Sequence, residues 1–406
     1  DAKDIKYRFN WNAPIIWSKH EPNTYYHGAQ YLLKTSDMGR TWKEVSPDLT
    51  RNEKDKQGKG GGPFTNEAVG AENYGTIAYI TESPHEKGVI WTGSDDGLVQ
   101  LTRDGGATWK NVTPSGLAEC LINAIEVSPF DKATAYIATT RYKFNDHTPG
   151  LYKTTDYGAT WTKINNGLPS NAFTRVVRED NVRQGLLFAG TELGVFISWN
   201  GGQDWSHQGN LIAATSGRSF WVLDDLNVIR QYKRDMPAFS IYQPASAYLA
   251  NGSSELDDSD DGFTGANRFR GVNPANGVVF YYNLPELKKS DEVTLEIRDA
   301  GSVVVNTFST KSDANYRKWD GGPDEDPTHS KGKGLNRFVW NMRHATMPGV
   351  PGVYIESSYA GHKAPPGKYT ATLKMGGQTV STAFEILSNP LYPITAAEYA
   401  EYHKLM

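Results

Sequence analysis

The sequence predicts an all-β chain: a β-propeller, incomplete within these residues, followed by a β-sandwich. Three observations predict it. A phrase of eight residues recurs four times along 406 residues, at the spacing of a four-stranded blade. Runs of 4–7 residues rich in Val, Ile, Tyr and Thr, bounded by turn residues, lead into each copy. Beyond Tyr232 the phrase stops, and a second series of short strand patterns begins. Composition agrees: 40 Gly, 21 Pro and 12% aromatic residues favour many turns and strands over helices.

The copies are "TSDMGRTW" (35–42), "TRDGGATW" (102–109), "TTDYGATW" (154–161) and a worn "SWNGGQDW" (198–205). Their tryptophans, Trp42, Trp109, Trp161 and Trp205, are 67, 52 and 44 residues apart. Upstream of each copy lie three apolar runs, and "TWKEVS", "TWKNVT" and "TWTKIN" supply a fourth strand. Four full blades follow, at about 11–48, 75–114, 121–166 and 173–208. Each position of the phrase has a structural role. Asp37, Asp104 and Asp156 accept backbone N–H groups at a tight turn, with Asn200 in the worn copy. Gly39, Gly106, Gly158 and Gly202 supply the positive φ, and the Trp ring is buried at the blade edge. These carboxylates are therefore read as turn formers, not as catalytic acids or calcium ligands.

This phrase, S/T-x-D-x-G-x-T-W, resembles the Asp-box, or BNR repeat, of sialidase-like propellers. The longer stretches "GTIAYITESP", "GVIWTGSDDGLVQLTRDGG", "LLFAGTELGVFIS" and "TSGRSFWVLDDL" are similar to large secreted bacterial proteins of the sortilin (VPS10)-like or BNR-repeat glycosyl hydrolase type. The resemblance implies a multi-bladed propeller followed by a small β-sandwich, in a secreted, cell-surface or periplasmic bacterial protein. A fifth blade is partial: "NLIAATSGRSFWVLDDLNVIRQY" (210–232) matches second and third strands only, with Ser216 where the family pattern has His. Four and a half blades leave sheet edges open. The missing blades are expected in the same polypeptide or from a second chain.

Residues 233–276 are acidic and rich in Gly and Ser, and read as a linker. "LDDSDDG" within them lacks the spaced ligands of an EF-hand. Strands resume at 277–284, 292–299, 302–309, 334–343, 367–375 and 379–387, the spacing of an Ig-like sandwich over 277–388. Asn336, Trp340 and the Pro365–Pro366–Gly367 turn resemble the Ig-like module of the flagellar hook-capping protein. Residues 389–406 start a helix, with Thr395 as N-cap and Glu398 three residues on.

Net charge of −4 and the absence of a basic stripe argue against nucleic acid. No apolar run is long enough to span a membrane. Cys120, the only cysteine, is read as a buried core thiol. The nine histidines show no pair at metal spacing, so no metal and no cofactor are expected. Propellers bind ligands at one mouth, on the loops that join strands two and three and those that join successive blades. Asp95, Asp96, Arg141, Glu192 and Arg218 fall at the equivalent turns of neighbouring blades and form the candidate ligand-binding ring. Asp95 or Asp96 with Glu192 could supply the two carboxylates of a glycoside hydrolase. The three arginines of a sialidase are not found. The long loop 46–74 lies at the same mouth, as a lid or partner-binding loop, and its "GKGGGP" lacks the order of a phosphate loop. The leading expectation is a binding or scaffold propeller with a protein, peptide or glycan partner. A glycoside hydrolase is the alternative. An assembly factor, like the Asp-box propellers that help build photosystem II, rests on fold analogy.

Overall fold

The computed structural model describes residues 6–57, 73–208, 213–215, 219–221, 225–249, 275–353, 356, 358–392 and 394–405. The chain divides into two compact units, Asp1–Leu223 and Asp224–Met406.

The first unit is a series of four-stranded antiparallel meanders, the blades of a propeller. Blade one holds β1 (Ile15–Trp17), β2 (Tyr25–Gly28), β3 (Leu32–Thr35) and β4 (Lys43–Glu44). Blade two holds β5 (Ile77–Glu82), β6 (Ile90–Ser94), β7 (Val99–Thr102) and β8 (Lys110–Asn111). Blade three holds β9 (Leu121–Val127), β10 (Ala135–Arg141), β11 (Asp146–Thr154) and β12 (Thr162–Lys163). Blade four holds β13 (Thr174–Glu179), β14 (Leu187–Thr191), β15 (Gly194–Ser198) and β16 (Ser206–Gln208). A two-stranded ribbon, β17 (Ala213–Thr215) with β18 (Ser219–Trp221), stands where the partial fifth blade was expected.

Each repeated phrase is the turn from a blade's third strand to its fourth. Thr102 Oγ1 donates to Asp104 at 2.8 Å and accepts from Gly106 N at 2.9 Å. Asp104 also accepts from Thr108 N at 2.9 Å and Thr108 Oγ1 at 2.6 Å. The same four bonds close the turns around Asp37 and Asp156. In the worn copy the chemistry is reversed: Asn200 Nδ2 donates to Asp204, which stands where the other copies have Thr.

The cores form between blades rather than within them. One cluster joins Val89, Trp91 and Val112 of blade two to Ile122, Ile125 and Ile137 of blade three. Another joins Tyr136 and Leu151 of blade three to Val177, Leu187 and Trp205 of blade four. The Trp of each turn fastens its blade to the preceding one. Trp109 Nε1 donates to Val45 O at 3.0 Å, Trp161 Nε1 to Val112 O at 2.7 Å, and Trp205 Nε1 to Ile164 O at 2.6 Å. The turn glycines allow that approach. A Cβ at Gly106 would overlap Val45 O, one at Gly158 would lie 2.7 Å from Val112, and one at Gly202 2.6 Å from Ile164. Blade one breaks the pattern. A Cβ at Gly39 would meet only its own Trp42, at 3.9 Å. Trp42, Ile15, Trp17 and Met38 are exposed there, Trp17 to 65%.

The second unit is a two-sheet sandwich. A helix, α1 (Leu226–Gln231), comes first. The strands are β19 (Ser240–Ile241), β20 (Ala247–Tyr248), β21 (Val278–Leu284), β22 (Val293–Asp299), β23 (Val304–Ser309), β24 (Gly334–Trp340), β25 (Gly367–Met375) and β26 (Gln378–Leu387). One sheet has the order β19-β21-β24, the other β20-β26-β25-β22-β23. Strict alternation of buried and half-buried residues along β21 and β22 points Phe280, Tyr282, Leu295 and Ile297 into one shared core with Trp340 and Phe384. Two details depart from the sequence reading. Residues 240–248, expected within the linker, add an edge strand to each sheet, because Tyr242 and Ser240 are buried there. Residues 226–231, expected as a continuation of blade five, are helical. The acidic segment 256–262 lies outside the described residues. The helix α2 (Ala396–Leu405) starts with the expected capping box: Glu398 N donates to Thr395 Oγ1 at 3.3 Å, and Thr395 N to Glu398 Oε2 at 2.8 Å.

Candidate functional site

The candidate site lies on the mouth of blades two to four, where strand two turns into strand three. In each of these blades the pairing of strands one and two carries a bulge at that end, between Ile77 and Tyr79, Ala138 and Thr139, and Thr174 and Val176. Bulges twist a strand and redirect side chains, which suits a rim built for display.

The sequence-predicted residues reach this mouth but are engaged locally. Asp95 Oδ1 accepts from Gly75 N at 3.0 Å and Thr76 N at 2.8 Å, and Oδ2 from Thr76 Oγ1 and Asn10 Nδ2. Desolvation first, and the neighbouring Asp96 second, push its pKa up to about 7 against those donors. Asp96 is buried. It accepts from Ser94 Oγ and from Arg51 N, which fixes the loop after blade one to blade two. Arg141 pairs with Asp146 of its own blade and donates from Nε to Glu119 O at 3.0 Å. Glu192 is exposed, and among the described residues its carboxylate pairs with Arg175, at 3.5 Å. Arg218 lies outside the described residues. Asp95 and Asp96 thus adjoin each other, while Arg141 and Glu192 each pair within their own blade.

Sequence reasoning missed the rest of the rim. Tyr142 and Phe173 stack with ring centroids 5.5 Å apart, and His147 lies 5.6 Å from Phe173. The Arg175 guanidinium sits 4.8 Å from the Phe173 ring and 5.1 Å from the Tyr142 ring. This arrangement brings the Arg175 cation and the Glu192 carboxylate to the surface beside the half-buried Tyr142, while the Phe173 ring itself is buried. Phe173 stands between two blades' turns, and only the alignment of Phe173–Thr174–Arg175 at the start of a first strand could have marked it. Toward blade two, Lys56 Nζ bonds both Glu119 oxygens at 2.8 Å and Glu53 at 2.6 Å. The described part of the 46–74 loop is therefore pinned to the rim, and "GKGGGP" lies outside the described residues. Deeper in, Arg178 of blade four donates to Tyr79 OH of blade two at 2.8 Å and lies 3.5 Å from Glu126 of blade three.

Cys120 is fully buried, and burial pushes its thiol up to about 12, which suits a core residue and not a nucleophile. In the second unit, His344, His362 and His403, far apart in sequence, come together. Spacing along the chain could not show this.

No family model and no curated protein matches the chain. Among solved structures it is similar to an ancestral GH74 enzyme, at 13% identity and TM-score 0.38, over 78% of this chain and 32% of that one. It is also similar to the GH74 enzyme of Niastella koreensis, at 12% identity and TM-score 0.37, over 93% of this chain and 56% of that one. PorZ, a surface component of the type-IX secretion system of Porphyromonas gingivalis, matches at 14% identity and TM-score 0.30, over 94% and 39%. The chain spans between about a third and just over half of these proteins. At such identities and TM-scores none of their activities transfers to it. Among the described residues no helix is long and apolar enough to cross a membrane.

Proposed function

We propose that this chain is a non-catalytic binding propeller that takes a glycan or a peptide at the mouth of blades three and four, within a larger ring. The observation that carries the reading is the exposed Arg175 over the Tyr142–Phe173 stack, beside the equally exposed Glu192. An ion pair at the surface contributes at most about 1 kcal/mol, so Arg175 and Glu192 can exchange each other for ligand groups at little cost. An exposed arginine and carboxylate beside a half-buried tyrosine suit the hydroxyls of a sugar ring or a charged peptide side chain. The paired carboxylates Asp95 and Asp96, by contrast, are occupied by the bonds that join the blades. The resemblance to secreted sortilin-like, BNR-repeat proteins belongs to the same reading, supported by the shared geometry of the four turns.

A glycoside hydrolase is the second reading, favoured by one arrangement: Asp95 and Asp96 stand side by side in the blade-two turn, where burial first and the neighbouring carboxyl second raise the Asp95 pKa, the direction a general acid needs. Calorimetry against a panel of neutral and sialylated oligosaccharides and acidic peptides, with product analysis, separates the two. Saturable binding without product, weakened about tenfold or more in Arg175→Ala, supports the binding reading. Turnover of a glycan that is lost in Glu192→Gln or Asp95→Asn would replace it with the hydrolase.

The apolar face of blade one is the second part of the proposal. Trp42 is 36% exposed and has no acceptor for Nε1 among the described residues, whereas its three counterparts each bond the preceding blade. A further blade, in the same polypeptide or from another chain, fits there.

A further inference from the structure

We infer that His344, His362 and His403 form a site for one divalent first-row transition ion, of the zinc class, that ties α2 to the sandwich. Two chain segments after β24 and before β25 lie side by side: His344 N donates to His362 O at 3.0 Å, Ala364 N to Met342 O at 2.8 Å, and Met347 N to Tyr359 O at 2.8 Å. Gly361 makes this approach possible, since a Cβ there would overlap the carbonyl oxygens of His344 and Ala345. The His344 and His362 rings stack, with centroids 4.0 Å apart and planes 17° apart. His403, from α2, closes the triangle, 5.4 Å from the His344 ring and 5.1 Å from the His362 ring.

One nitrogen from each ring lies within 4.8 Å of the other two. His362 Nε2 and His403 Nδ1 are 3.2 Å apart. Two nitrogens on a tetrahedral zinc, with bonds of about 2.0–2.1 Å, stand roughly 3.3 Å apart, so this edge is already of the right length. A nitrogen lone pair lies in its ring plane, so closing the third corner requires the His344 and His362 rings to splay from their stack. Among the described residues His344 Nε2 is buried without a hydrogen-bond partner, an open position that a metal bond would fill. The charged neighbours are Asp299, which faces His344, and Arg343 and Lys363, whose heads are turned to the carbonyls of Gly361 and Asn341. Three imidazoles and a solvent molecule make a four-coordinate set for zinc.

The helix supplies a second, independent reason. Ten residues make a marginal helix on their own. Of the described side chains of α2 only Tyr399 and His403 are partly shielded, and Tyr402 and Leu405 are exposed. Its histidine is thus the main described contact that fixes it in place.

The test is a zinc titration of the full chain, freed of metal by chelation, followed by calorimetry, with Co²⁺ as a spectroscopic probe. One ion per chain is expected, with the visible bands of tetrahedral Co²⁺ and increased amide protection in α2. His403→Gln, on a helix whose described side chains are mostly exposed, should weaken uptake about 100-fold. His362→Ala should do the same, with the circular dichroism of the sandwich unchanged. No saturable uptake, or uptake that survives in both variants, would overturn the site.

Discussion

At the scale of the residue, the repeated turn is an electrostatic device. Threonine hydroxyls and backbone N–H groups hold the carboxyls of Asp37 and Asp104 down to about 2, and that of Asp156 below its usual range. An unfolded aspartate titrates near 3.9, so on acidification the unfolded chain takes up these protons first. The stabilisation is complete above about pH 4 and is lost as pH falls toward about 2. A thermal melt of the chain at successive pH values should show that loss, and Asp104→Asn should shrink it. A profile unchanged by Asp104→Asn would remove the turn from the explanation. Trp205 tests the fastening. It is 4% exposed and bonded to Ile164 O, so Trp205→Phe should cost about 1–2 kcal/mol in urea denaturation. Trp42→Phe, which breaks no described bond, should stay within about 0.5 kcal/mol. Equal costs would contradict the difference between the two positions.

At the scale of the element, the sequence carried the blades well because a short phrase encodes them. Four residues of each turn bond one another within a span of eight, so spacing alone revealed them. The partner of each Trp was not legible. Val45, Val112 and Ile164 lie 41–64 residues away from the tryptophans they hold and carry no polar side chain to mark them. The mouth was half legible for a similar reason. Alignment of the repeats located Asp95, Asp96, Arg141 and Glu192 at the rim, but the length of an aspartate turns it back to its own backbone, and Tyr142, Phe173 and Arg175 assemble only when two blades meet. The histidine cluster depends on contacts 18 to 59 residues apart, so no local pattern contained it. The glycines offer a test at this scale. Gly39 and Gly106 both have positive φ, of 85° and 104°, and alanine at either costs about 1–2 kcal/mol for the backbone alone. Gly106→Ala must also displace Val45 of blade one, so it should lower the melting temperature clearly more than Gly39→Ala.

At the scale of the whole molecule, the blades are joined in one direction. Each blade after the first sends a tryptophan and a close-packed glycine turn back onto its predecessor, and shares its core with it. Blade one has the same tryptophan and glycine, facing outward, with Ile15, Trp17 and Met38 around them. Exposed apolar side chains grouped in this way mark interaction surfaces. Under the proposed function, another blade covers this face in the native protein. Hydroxyl-radical footprinting of the protein isolated under native conditions from its source, compared with the isolated 406-residue chain, tests it most directly. Trp42 should be oxidised readily in the isolated chain and protected in the native protein to the level of Trp205. Equal oxidation of Trp42 in both would contradict the claim and leave blade one as a true edge.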